Sequence, residues 1–76
     1  MFYRKEPLMR QIGFVKRIKN GYCFIRVLSG EEHFAHLRDF KDAQTMKLGQ
    51  YVEFTPIPAH VPGKNPAATN VVAIAA

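Results

Sequence analysis

The sequence predicts an all-β chain folded as a small five-stranded barrel. Three observations predict it. Five short runs are rich in β-branched and aromatic residues, and most alternate with the period of a strand. Turn residues separate them: Asn20-Gly21, Ser29-Gly30, Gly49 and a Pro/Gly-rich stretch around Pro58 to Pro66. At 76 residues the chain is one domain, too small to cover a sheet on both faces.

Ile12 to Ile18 alternates around Val15 and forms the first expected strand. Lys19-Asn20-Gly21 favours a tight hairpin into the second, Tyr22 to Leu28. Ser29-Gly30-Glu31 is the next turn, and His33 to His36 the third strand. Arg38 to Leu48 has no strand alternation and leaves room for one helical turn. Tyr51 to Ile57 is the fourth strand. Prolines 56, 58, 62 and 66 with Gly63 then mark a loop, and Ala67 to Ile74 closes the set. Its edge is a surface on which a second copy could pair.

Rings recur at alternate positions in two of these strands: Tyr22 and Phe24, then Phe34 and His36. Alternate side chains share a face. The interior is therefore assigned to Val15, Cys23, Ile25, Val52, Phe54 and Val71, and the four rings point outward. Outward rings on a basic chain suit unpaired bases, each stacked base being worth about 1–3 kcal/mol by alanine substitution. Eleven Lys and Arg against six acids give a net charge of +5 and a pI of about 9.7, which favours polyanionic partners. Lys16, Arg17, Lys19, Arg26 and Arg38 interleave with the rings and are assigned to phosphate and sugar.

The order of motifs resembles the bacterial cold-shock domain family. Gly13-Phe14-Val15-Lys16 is similar to its Gly-x-Val-Lys strand. Gly21-Tyr22-Cys23-Phe24-Ile25 resembles Gly-aromatic-Gly-Phe-Ile, and Glu32-His33-Phe34-Ala35-His36 resembles Asp-Val-Phe-Val-His. Leu48 to Phe54 is similar to the Gly-Gln-x-Val-x-Phe strand, and Asn65 to Val71 to the closing Pro-x-Ala-x-Asn-Val segment. The resemblance implies an OB-fold barrel that binds single-stranded RNA or DNA, as an RNA chaperone or a transcription or translation regulator, without catalysis. It carries Lys16, Tyr22, Phe24, Phe34 and His36 over as binding residues.

The chain departs from that pattern. Arg17-Ile18 stands where the family usually has Trp-Phe, and Leu37 where it often has Phe. The turn before Gly21 and the middle loop are shorter, and an exposed Phe is replaced near Ala43. Weaker or more salt-dependent binding is expected, with Arg17 recovering part of the loss by guanidinium stacking. Residues 1–11 read as an N-terminal extension and 12–76 as the domain. Phe2, Tyr3, Arg4 and Lys5 either extend the groove or form a loose lead, and Met9 stands where such proteins often start.

Other classes fit less well. Cys23, His33, His36 and His60 match a zinc ligand count, but His33 and His36 fall on opposite faces of one strand. Neither metal nor cofactor is expected. Cys23 replaces a glycine on the inward side and reads as core. No nucleophile with an orienting base is visible, so no enzyme is expected. One cysteine, no apolar run of spanning length and no signal-peptide core point to a cytoplasmic, non-membrane protein. A monomer is expected over a homodimer. The alternative reading is a protein–protein interaction module on the same barrel, with reduced nucleic-acid binding.

Overall fold

Each expected strand forms. The computed structural model describes residues 10–59, 61 and 63–75. The strands are β1 (Gln11–Lys19), β2 (Tyr22–Val27), β3 (Glu32–His36), β4 (Tyr51–Ile57) and β5 (Ala67–Ala73). They close into a barrel in the order β1-β2-β3-β5-β4, the five-stranded OB fold. β5 lies between β3 and β4, parallel to the first and antiparallel to the second. The free β5 edge expected from the sequence is therefore absent. The Phe34 N–H donates to the Pro66 carbonyl at 2.8 Å, and Lys41 N–H to Val71 at 2.8 Å.

Strand ends differ from expectation by one residue in β1, β2, β3 and β5, and the connection between β3 and β4 differs in kind. β2 stops at Val27, and Leu28 stands fully exposed in the turn. The connection between β3 and β4 holds two 3-10 turns, Leu37–Asp39 and Ala43–Thr45, where one helical turn was expected. Phe40, between them, is buried in the core and bridges to Val71.

The interior holds all six residues assigned to it, with Val27, Ala35, Phe40 and Ala68. Gly13 lets β1 lie close to β2. A Cβ there would come within 2.5 Å of the Arg26 carbonyl oxygen and 2.9 Å of Ile25 Cγ2. At the hairpin, Lys19 pairs with Tyr22 across a two-residue loop, and Gly21 takes φ of 88°. Asn20 keeps a negative φ, so the turn is not the doubly left-handed form that Asn-Gly often adopts.

β1 carries a bulge between Val15 and Arg17. Val15 pairs with Ile25 and faces inward, whereas Arg17 pairs with Phe24 and faces outward. Lys16 is the extra residue. A second irregularity falls between Glu53 and Thr55, opposite Asn70 at φ 51°. Arg10 ties this site together: its guanidinium donates to Asn70 O at 2.8 Å, Thr55 Oγ1 at 3.1 Å and Glu53 O at 3.2 Å.

Candidate nucleic-acid interface

Register sorts the outer face of β1, β2 and β3 into rows, because residues paired across strands share a face. One row is Lys19, Tyr22 and His36. The next is Arg17, Phe24 and Phe34. The third is Phe14, Arg26 and Glu32, continued onto β4 by Tyr51. The four rings expected outward are outward, but each is half-buried rather than free-standing.

Their burial comes from one another. Tyr22 and Phe34 have centroids 5.0 Å apart and tilted. Phe24 meets Tyr22 edge-on at 5.9 Å and Phe34 at 6.0 Å. Such edge and tilted pairs add about 0.5–1.5 kcal/mol each beyond area burial, so the cluster is a fixed surface. Each ring nevertheless keeps part of its surface open to solvent.

His36 is held differently. It caps the first 3-10 turn: its Nδ1 accepts from Arg38 N–H at 3.2 Å, and its own N–H donates to Asp39 Oδ2 at 3.2 Å. Thr69 Oγ1 lies 3.4 Å from Asp39 Oδ1, which links the cap to β5. With Nδ1 used as an acceptor, the neutral ring carries its proton on Nε2, the donor left for a ligand.

The cations divide. Arg17 lies over Phe24, its guanidinium carbon 4.7 Å from the ring centroid, and bonds Glu32 Oε1 at 2.6 Å. Lys19 is exposed beside Tyr22, and Lys16 is half-buried at the bulge. Arg26 faces outward, and among the described residues its guanidinium has no hydrogen-bond or ion-pair partner. Arg38 lines a separate groove with Arg10, Lys41 and Asn70. The structure therefore gathers Arg17, Lys19, Arg26, Tyr22, Phe24, Phe34 and His36 on one face and does not bring Arg38 among the rings.

Sequence reasoning missed three groups here. Lys64 and Asn65 reach the rings from the β4–β5 loop and, with Phe24, Phe34 and Ala67, line a groove of about 350 Å³. No local signal links them, because the loop is distant in sequence. Phe14 was legible: its neighbours Gly13 and Val15 face inward, so alternation sends it outward.

The two remaining chemistries divide by face. Cys23 and His33 are buried inside the barrel, whereas His36 caps a turn on the outside. Burial pushes the Cys23 thiol up to about 11. His33 packs its ring 4.9 Å from Phe54, and its Nδ1 has no partner among the described residues. Burial lowers its pKa, opposed by the Glu31 carboxylate 4.0 Å away. Residues 1–9, His60 and Pro62 lie outside the described residues, and with them the fourth zinc candidate and all of the expected 1–11 extension but Arg10 and Gln11, of which Gln11 opens β1.

No protein-family profile matches the chain, and no curated protein matches it by sequence. Among solved structures, 29 chains match. One is drosophila Unr CSD456, with a TM-score of 0.71 and 20% identity over 90% of this chain. The chain spans 28% of the length of that structure's chain. The likeness shows a cold-shock-like OB fold, in an insect protein, so the fold holds without the narrowing to bacteria.

Proposed function

We propose that this protein binds single-stranded nucleic acid, RNA in preference to DNA, on the outer face of β1, β2 and β3. The observation that carries the reading is the cluster of Tyr22, Phe24 and Phe34, with cations in the same and adjoining rows. Unpaired bases expose the π-faces such rings need, and a duplex does not. Tyr22, Phe24, Phe34 and His36 receive bases. Lys16, Arg17, Lys19 and Arg26 meet phosphates, joined by Lys64. The resemblance to cold-shock domains supports a non-catalytic role as an RNA chaperone or regulator. A monomer in the cytoplasm is part of the same proposal, the location resting on the single cysteine.

The test is a salt series on a labelled pyrimidine-rich 8-mer, with a duplex control. Single-strand binding should exceed duplex binding, and its log affinity should fall with log salt by about 0.7 per contacted phosphate. Absence of binding at low salt would refute the reading and leave the face as a protein interface, whose affinity would respond far less to salt.

A further inference from the structure

The third row of the outer face ends in a groove that the ring cluster does not use. It has a volume of about 660 Å³, and its lining is mostly apolar. Phe14 and Tyr51 form one wall, centroids 6.0 Å apart and tilted by 42°. Leu28, fully exposed, stands on the turn opposite, and Gly13 with Val27 forms the floor. Arg26 sits on the rim. Tyr51 is 43% exposed and Ile12 56%, so large apolar side chains lie open here without cover among the described residues.

We propose that this groove is an additional subsite for one unpaired nucleobase, extending the path of the strand beyond Phe24. The proposal rests on the reading of the ring face given above. Three features select a nucleobase as the occupant. Two aromatic rings and an exposed aliphatic side chain line it, apolar surface on which a planar base can pack. Among the described residues Arg26 is the one cation that lines the groove and is unpaired, and it suits the phosphate of the same nucleotide. Among the described residues no carboxylate lines the groove, and Glu32, paired with Arg26 across the sheet, is already bonded to Arg17.

Continuity with the ring cluster sets the order. Arg26 follows Phe24 by two positions on β2, about 6.6–6.8 Å along the strand. That is roughly twice the 3.4 Å repeat of stacked bases in a duplex strand. Bases on successive rows are therefore separated, each on its own ring. The strand runs from the Tyr22 row past Phe24 and Phe34 to the Phe14–Tyr51 groove.

A length series tests it. Oligopyrimidines from 3 to about 10 nucleotides are titrated by anisotropy against wild type, Tyr51→Ala, and the double variant Phe14→Ala/Tyr51→Ala, with melting curves as fold controls. Tyr51 is a surface side chain, so its single variant remains informative if the double variant unfolds. Wild type should gain affinity as the oligomer grows long enough to reach the groove. The variants should lose roughly 5- to 150-fold on long oligomers, the equivalent of one stacked base, and nothing on the shortest that bind. Equal affinity of variant and wild type for long oligomers would overturn the subsite while leaving the ring-face reading intact. Equal losses at every length would also overturn it, because the groove would then be no separate subsite. If no oligomer binds wild type, both fall, and the groove is a surface for an apolar protein segment.

Discussion

The Arg17 guanidinium lies 4.7 Å from the centroid of Phe24, the ring that meets both Tyr22 and Phe34 edge-on. Glu32 fixes it there at 2.6 Å. A base stacking on that side of Phe24 must displace Arg17 or stack on top of it. An exposed cation–π contact is worth about 0.5–1 kcal/mol and an exposed ion pair about 0–1 kcal/mol. Together they equal about one weakly stacked base, so displacement is nearly balanced and the phosphate contact decides. Glu32→Gln should free Arg17, strengthen single-strand binding several-fold and steepen the salt slope by about 0.7. An unchanged slope would show that Arg17 never reaches phosphate.

His33 makes stability depend on pH. Its folded pKa lies below the unfolded value because burial disfavours the charged ring, with Glu31 opposing. The unfolded chain therefore takes up a proton near pH 6.5 that the folded chain refuses. The neutral ring's contribution is complete above about pH 6.5 and is lost as pH falls below it, by at most about 1.4 kcal/mol per pH unit. The readout is the difference between wild type and a variant that lacks this ring. Melting of wild type and His33→Leu is compared from pH 7.5 to 5. The wild type should lose more stability on acidification; parallel curves would contradict the assignment.

Gly13→Ala should destabilise the barrel by about 1–3 kcal/mol, because the new methyl meets a backbone carbonyl rather than a flexible side chain. Urea denaturation measures it. A neutral effect would mean that β1 shifts freely at this point.

Cys23 should resist thiol reagents in the folded protein. It is fully buried, and its thiol is held protonated well above pH 8. Modification should be slow in buffer and complete in denaturant. Fast labelling in buffer would place the sulfur at the surface.

The inward and outward sets of β2 and β3 were legible in the sequence because strict alternation holds there without a bulge. β1 is different. Counting by two from Val15 turns Arg17 inward, against its assignment to the binding face. The bulge at Lys16 reverses this and sets Arg17 over Phe24. Nothing local marks that extra residue. Arg10 was hidden for a similar reason: its partners, the Glu53 and Asn70 carbonyls and the Thr55 hydroxyl, lie at a strand irregularity distant in sequence. Phe40 lay in a stretch without period; its side chain joins the core, and its backbone bridges to Val71. Phe14 was readable from its neighbours, whereas Lys64 reaches the rings only through the closure of the barrel.

The most direct measurement is single-strand affinity of the Tyr22→Ala/Phe24→Ala variant beside wild type, by anisotropy of the pyrimidine 8-mer. Both rings are half-buried on the outer face, so the core beneath them is unchanged, and circular dichroism should report the same fold. The account predicts loss of most binding, two bases' worth of stacking at about 1–3 kcal/mol each. A folded variant that binds as wild type does would contradict it.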